Sequence, residues 1–455
     1  MKRVMIVGAG LTGMRLLQWL KAAGECEIVG VVGEEFVWEG LTVQGQWADI
    51  PHYMEEYKIE QVYLAAPEIE NEKKEQLMHW CETQQYELII EPSFYETESR
   101  KAHILQMAQD HMETLLGRKL VNLPMNIGNM VQEKTILVTG AGGTIGSQLC
   151  RVLAQYRPAK LILMDIAEHD SLRIMQEVAP AVKNAALIIG SVTNEKLVRR
   201  VFEVHRPHIV FHAAAHKHVP LMESNLSQCM ENNVFGTYCC AAAAAEFGAE
   251  TFVLISSDKA AQPVSVMGKA KRICEIMMRL LDEKVRTAFC SVRFGNVIGS
   301  SGSVLQAFAQ QIACGGPVML TDTGMTRFFM TAKEAAQLVI SAAFLEEKAH
   351  MYMLDMGKPV GIATLAERLL KIVGREDIPI VSTGKREGEK LTETLCAPEE
   401  QLCSSGYSHI FTIQDEKKFP GNEWFETLKK LKETLFWDEA VAIRLIQRLI
   451  LEKES

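Results

Sequence analysis

The chain has no apolar stretch of the length that crosses a bilayer, which takes about 20 consecutive apolar residues. No integral membrane segment is expected. Nor does it open on a secretory leader, since Lys2 and Arg3 lead straight into the strand-like run Val4 to Val7. It has no basic excess. With 48 Lys and Arg against 57 Asp and Glu, the net charge is −9, which argues against a nucleic-acid partner. An anionic substrate is not excluded, because a few Lys and Arg can dominate one cleft. It has no Cys-x-x-Cys pair. Eleven scattered cysteines, an odd number, read as reduced thiols of a cytoplasmic protein. It also lacks a metal-ligand cluster: His216 and His218 flank Lys217, but no carboxylate or cysteine joins them at ligand spacing, so no metal is expected.

What the chain does have is alternation. At 455 residues it exceeds one typical core. Strand-like runs at 4–7, 27–32, 61–65 and 86–90 alternate with helical patterns, the signature of βαβ units and a parallel sheet. The first domain is placed at 1–95 and a linker at 96–130. A second series runs through 135–139, 160–165, 185–190, 208–212, 251–256 and 287–293. After Arg293 the alternation becomes irregular, as in a substrate lobe built over the sheet's carboxyl edge. Residues 416–455 read as a helical tail.

Two glycine loops follow strands and open helices. The stronger runs Thr139-Gly140-Ala141-Gly142-Gly143-Thr144-Ile145-Gly146. Glycine permits a tight turn and close backbone approach to a pyrophosphate, and the helix N-terminus adds unpaired N–H groups. Dinucleotide binding is expected here. Asp165, ending the next strand, suits a ribose hydroxyl and would repel a 2′-phosphate, favouring NAD over NADP. The first loop, Gly8-x-Gly10-x-x-Gly13, is the weaker signal. Glu34 or Glu35 could meet a ribose there, but a structural or regulatory domain is the preferred reading.

The segments Ser256-Ser257-Asp258-Lys259 and Met267-Gly268-Lys269-Ala270-Lys271 resemble the active-site strand and helix of short-chain dehydrogenase/reductases. There a tyrosine normally stands four residues before the lysine. Here it is Met267, and a thioether has no exchangeable proton. The wider match is collinear: Thr139 to Ser147, His212 to Ser224, Asn232 to Thr237, Ser256 to Ala260, Val266 to Arg272, Val292 to Val304, Thr326 to Thr331, Leu354 to Gly357 and Gly384 to Leu391. Residues 131–415 resemble the nucleotide-sugar 4,6-dehydratases of bacterial polysaccharide biosynthesis, in their capsular (CapD-like) branch. The first domain is similar to the one preceding the catalytic domain in long members, here without their membrane helices.

The resemblance implies an α/β fold of two Rossmann-like, doubly wound domains. The second would be an extended short-chain dehydrogenase with a substrate lobe from about residue 295. It implies NAD, held by the glycine loop with Asp165, Ser191, Val192, Ala213, Ala214 and Lys271. It implies a UDP-sugar substrate, with Lys217, Asn233, Arg293, Asn296, Arg327, Arg386 and Glu389 as contacts, and a homo-oligomer. Methionine at position 267 is a trait of this branch. Ser191 stands where the family usually has Asp, and Glu387 replaces a proline.

The implied reaction is dehydration of UDP-N-acetylglucosamine to a UDP-4-keto-6-deoxy sugar. Ser257 would bond the C4 hydroxyl. Lys259, near Lys271 and partly desolvated, would be the C5 base, with Asp258 as the acid at O6. Which of the two accepts the C4 hydroxyl proton stays open. The competing expectations are a UDP-sugar epimerase and a catalytically silent NAD-binding scaffold subunit.

Overall fold

The computed structural model describes residues 2–8, 10–23, 26–33, 47–66, 69–90, 94–121, 128–345, 349–384, 389–415, 417 and 419–451. Glu34, Glu35, Arg386 and Glu387 lie outside these. The chain divides into two compact units. One comprises Met1–Asp110 with Ala307–Val318 and Val373–Pro379; the other comprises His111–Gln306, Met319–Ile372 and Ile380–Ser455.

The first unit is built on a parallel four-stranded sheet, ordered Cys26–Val32, Lys2–Val7, Gln61–Leu64, Glu87–Ile90. Its two central strands, Lys2–Val7 and Gln61–Leu64, are largely apolar runs buried from both faces. Met5, Val7, Val62 and Leu64 pack on one side, and Val4, Ile6, Val31 and Leu17 on the other. Such two-sided burial is what parallel sheets require. The helix Phe94–Asp110 belongs to this unit, so the unit runs past the boundary at 95 expected from the sequence.

The second unit carries a nine-stranded sheet. Its order is Glu400–Ser404, Ile410–Asp415, Met351–Leu354, Ala288–Arg293, Thr251–Ile255, Ile209–His212, Thr135–Thr139, Lys160–Asp165, Ala185–Ile189. Neighbours from Met351–Leu354 to Ala185–Ile189 are all parallel, and the other two pair antiparallel at the edge. The chain winds outward from Thr135–Thr139 in one direction, then returns beside it at Ile209–His212 and winds the other way. The crevice at the carboxyl ends of those two strands is the topological switch point, where open α/β sheets bind ligands.

The tail closes the core of this unit. Trp424, Leu428, Leu431, Ile446 and Leu449 come from helices Gly421–Thr434 and Glu439–Ile450. They bury against Ile273 and Met277 of helix Val266–Asp282. The Trp424 indole N–H donates to the Leu449 carbonyl at 2.9 Å, so the one polar atom of that ring is satisfied inside the cluster. No helix among the described residues is long and apolar enough to cross a membrane.

Candidate active site

The glycine loop lies at the switch point. The Gly140 φ is +67°, and a Cβ there would sit 2.5 Å from the Ala214 nitrogen. Only glycine meets both demands, left-handed backbone and close approach to the neighbouring strand's exit. Helix Thr144–Gln155 opens with Gly143 as N-cap and no capping side chain. Its first N–H groups therefore have no intrahelical acceptor and face the crevice as an anion site. Asp165 braces the turn. Its carboxylate accepts from Gly142 N at 2.8 Å and from Ala167 N at 2.9 Å. Ser191 accepts from Thr193 N and shares a 2.8 Å bond with the Thr193 hydroxyl.

Gly140→Ala is expected to cost roughly 1–3 kcal/mol, because strained backbone and a backbone clash cannot relax by side-chain movement. Urea denaturation would show it as a lower midpoint with an unchanged slope.

Behind the loop is a buried relay. The Thr139 hydroxyl lies 2.8 Å from His212 Nδ1, and His212 Nε2 lies 3.0 Å from the Thr237 hydroxyl. The Thr237 proton goes to the Asn233 carbonyl at 2.6 Å. Its oxygen must then accept from Nε2–H, which leaves Nδ1 to accept from Thr139. Burial, with Lys271 acting the same way, pushes His212 down to about 3, so the ring is neutral. Two expectations change here. The Thr139 side chain is spent on His212 rather than facing the crevice. Asn233, expected at the substrate, is fully buried in the π-helical turn Met230–Phe235. Its amide brackets the His216 backbone, accepting from N at 2.7 Å and donating to O at 2.9 Å.

The catalytic candidates gather at the exit of strand Thr251–Ile255. Two backbone bonds to the next strand's exit, Ser256 N to Val292 O and Asp258 N to Phe294 O, fix the turn Asp258–Ala260. The Asp258 carboxylate is 1% exposed. Its Oδ1 accepts from the Ser257 hydroxyl at 2.8 Å and from Lys259 Nζ at 3.1 Å. Its Oδ2 is buried and has no partner among the described residues. A buried carboxylate oxygen left unpaired costs about 1–3 kcal/mol or more, so something outside the described protein atoms is the natural partner.

Lys259 Nζ also donates to Asn296 Oδ1 at 3.3 Å and lies 3.6 Å from Glu393 Oε1. Two carboxylates, Asp258 and Glu393, are thus its charged contacts. Helix Val266–Asp282 is capped by Ser265, which accepts from Gly268 N. It brings Gly268 so close that a Cβ there would lie 2.5 Å from the Lys259 carbonyl oxygen. Met267, 4% exposed, sits in that first turn. One turn on, Lys271 Nζ donates to the Ile255 carbonyl at 2.7 Å, and burial lowers its pKa.

Two expected pyrophosphate ligands are corrected. Arg293 is 0% exposed. Its guanidinium is consumed by Glu275 at 2.7 and 3.0 Å, Glu400 at 2.7 and 3.1 Å, and the Leu395 carbonyl at 3.0 Å. A guanidinium has five N–H donors, and all five are taken. Arg327 is also buried and donates to the carbonyls of Thr326, Leu391 and Lys390. It shapes the lobe rather than greeting a phosphate. Lys217 is exposed. Glu389 carries a buried Oε2 with no partner among the described residues. Glu393 was missed altogether, though it lies two residues beyond the motif ending at Leu391.

The sheet, the switch-point glycine loop and the serine, lysine and former tyrosine positions define the extended short-chain dehydrogenase/reductase class. Residues 136–415 match the family model described as polysaccharide biosynthesis protein, and the chain belongs to that family. It is 37% identical over 425 residues to the capsular polysaccharide biosynthesis protein CapD of Staphylococcus aureus, covering 90% of this chain and 71% of that protein. A UDP-N-acetylglucosamine 4,6-dehydratase (inverting) of Campylobacter jejuni is 31% identical over 301 residues, 64% of this chain and 85% of that protein. A UDP-glucose 4-epimerase of Rickettsia canadensis stands at 32% over 298 residues, 62% and 84%. Among solved structures, Pen from Bacillus thuringiensis superposes with a TM-score of 0.59 at 30% identity, covering 63% of this chain and 89% of that one.

Proposed function

We propose that the chain is a nucleotide-sugar-modifying enzyme that dehydrates UDP-N-acetylglucosamine, or a similar UDP-N-acetylhexosamine, with NAD as its cofactor. The observation that carries this is the Asp258–Lys259 pair. It is a buried carboxylate with one oxygen unpartnered among the described residues, joined to a lysine, at the exit of the strand beside the switch point, while Met267 offers no proton. The anion site at Gly140 to Gly146 and the Asp165 carboxylate fit a dinucleotide, and related proteins of this fold are described in complex with NAD.

Bound NAD supplies the hydride acceptor and donor at C4 and C6 of the sugar. The chain's own residues move the protons. Lys271 would hold the nicotinamide ribose. The Ser257 hydroxyl, already oriented by Asp258, would bond the C4 hydroxyl. Once C4 is a ketone, the C5 proton is acidic. Lys259 would take it, and Asp258 would protonate the departing C6 hydroxyl as water. Two protons leave the sugar, from the C4 hydroxyl as hydride departs and from C5, and the 3.1 Å contact lets the pair share them. One leaves with O6 as water, and the other, open to exchange with solvent, returns to C5 as hydride adds at C6. UDP contacts are assigned to Lys217, Asn296, Glu389 and Arg386.

An epimerase is the second reading, favoured by the Rickettsia relative. Proton exchange at the C4 oxygen alone would then suffice, and that is the role Met267 cannot fill. Mass spectrometry after incubation with UDP-N-acetylglucosamine separates the two, since dehydration removes one water and epimerisation leaves the mass unchanged.

A further inference from the structure

We propose that Glu393 is a positioning residue of this site, holding the Lys259 amine on the line from which it takes the C5 proton; the proposal rests on the dehydratase reading. Glu393 is 5% exposed. Its Oε1 lies 3.6 Å from Lys259 Nζ and 3.9 Å from Arg327 Nε, and its Oε2 is buried with no partner among the described residues.

The carboxylate is not needed to secure its own segment. That segment is pinned by Arg327 on the carbonyls of Lys390 and Leu391, by Thr326 N on the Leu391 carbonyl, and by Lys390 Nζ on the Gln262 carbonyl. Burying a charge with no full hydrogen-bond complement is unfavourable, so its placement against Lys259 calls for another explanation.

The geometry around the amine supplies one. An ammonium has three N–H donors, and three oxygens surround Lys259. Asp258 at 3.1 Å and Asn296 at 3.3 Å are hydrogen-bonded. Glu393 at 3.6 Å is too far for a hydrogen bond but close enough for strong charge attraction. It therefore restrains the protonated side chain by charge and leaves the hydrogen bonds to Asp258 and Asn296. Asp258 comes from the turn after strand Thr251–Ile255, Asn296 from the short strand Asn296–Val297, and Glu393 from the segment beyond Leu391, so three separate segments meet at the lysine.

The test compares full-length parent, Glu393→Gln and Glu393→Asp. Glu393→Gln should lower kcat about 10–100-fold, the scale of a misplaced catalytic group. KM for UDP-N-acetylglucosamine and the melting temperature should stay near parental values. Glu393→Asp, which keeps the charge, should recover part of the loss and guards against a folding failure of the first variant. Competitive labelling with acetic anhydride, read by peptide mass spectrometry, should modify Lys259 at least about threefold faster in Glu393→Gln, because the amine is no longer held. Parental kcat with unchanged labelling would overturn the proposal, as would a kcat loss matched by a lower melting temperature. If the parent itself removes no water from the sugar, the functional reading fails, and the labelling arm still judges Glu393.

Discussion

Lys259→Met lowers dehydration by about 10²–10⁴-fold, the usual contribution of a positioned general base, while the protein stays folded. The side chain is 21% exposed, and its methylenes are matched in length by methionine. Asp258→Asn is expected to fall in the same range. Its amide would leave the Ser257 and Lys259 contacts one oxygen but offer no proton to O6. Because the two residues act as a unit, the double variant should be little worse than either single one. Single-turnover assays monitoring water loss by mass spectrometry, with melting curves alongside, would check this. Near-parental turnover in both single variants would mean the proton chemistry resides elsewhere.

Arg293→Met is expected to act on folding instead. The side chain bridges two carboxylates, Glu275 and Glu400, each 0% exposed. Arg272 completes the network on Glu275, Glu400 and Asp415. Burial would raise the Glu275 carboxyl, but Arg293 and Arg272 outweigh it and hold it below the usual range. Removing one partner of a buried ion pair costs about 3–5 kcal/mol, a large share of the roughly 5–15 kcal/mol that holds a domain together. The expected readout is a sharply lower urea midpoint or loss of soluble protein. Arg293→Lys should not rescue it, because an ammonium cannot fork across two carboxylates. If Arg293 were a pyrophosphate ligand, the variants would instead keep their stability and raise KM. The network also touches the site, since the Ser256 hydroxyl donates to Glu275 at 2.6 Å.

Arg293 shows where sequence reading stops. The parallel strands were legible because both faces are buried, so each appears as an unbroken apolar run with glycine or polar residues at its exit. Thr135–Thr139 and Lys160–Asp165 coincide with the sequence expectation. The dinucleotide loop was legible from the glycines that follow the first of these, while the switch point itself needs the strand order. But a strand buried on both faces has no polar-out parity, so an arginine at its end can point inward or outward. Its partners, Glu275 and Glu400, are remote in sequence and look like surface charge.

The antiparallel edge was hidden for a related reason. Glu-Gln-Leu-Cys-Ser of Glu400–Ser404 is half exposed and largely polar, lacking the apolar run that marks its neighbours. Glu393 escaped because nothing local distinguishes it; only the folded lobe brings it to Lys259. The Asp258–Lys259 pair, by contrast, was visible through Met267, whose missing proton directed attention to the adjacent turn.

The most direct measurement is to incubate the purified chain with UDP-N-acetylglucosamine and NAD in deuterated water and to examine the sugar nucleotide by mass spectrometry and NMR. The expected product has lost one water, carries a ketone at C4 and a methyl group at C6, and bears deuterium at C5, with none of this in Lys259→Met. A sugar unchanged in mass, whether untouched or inverted at C4, would contradict the account.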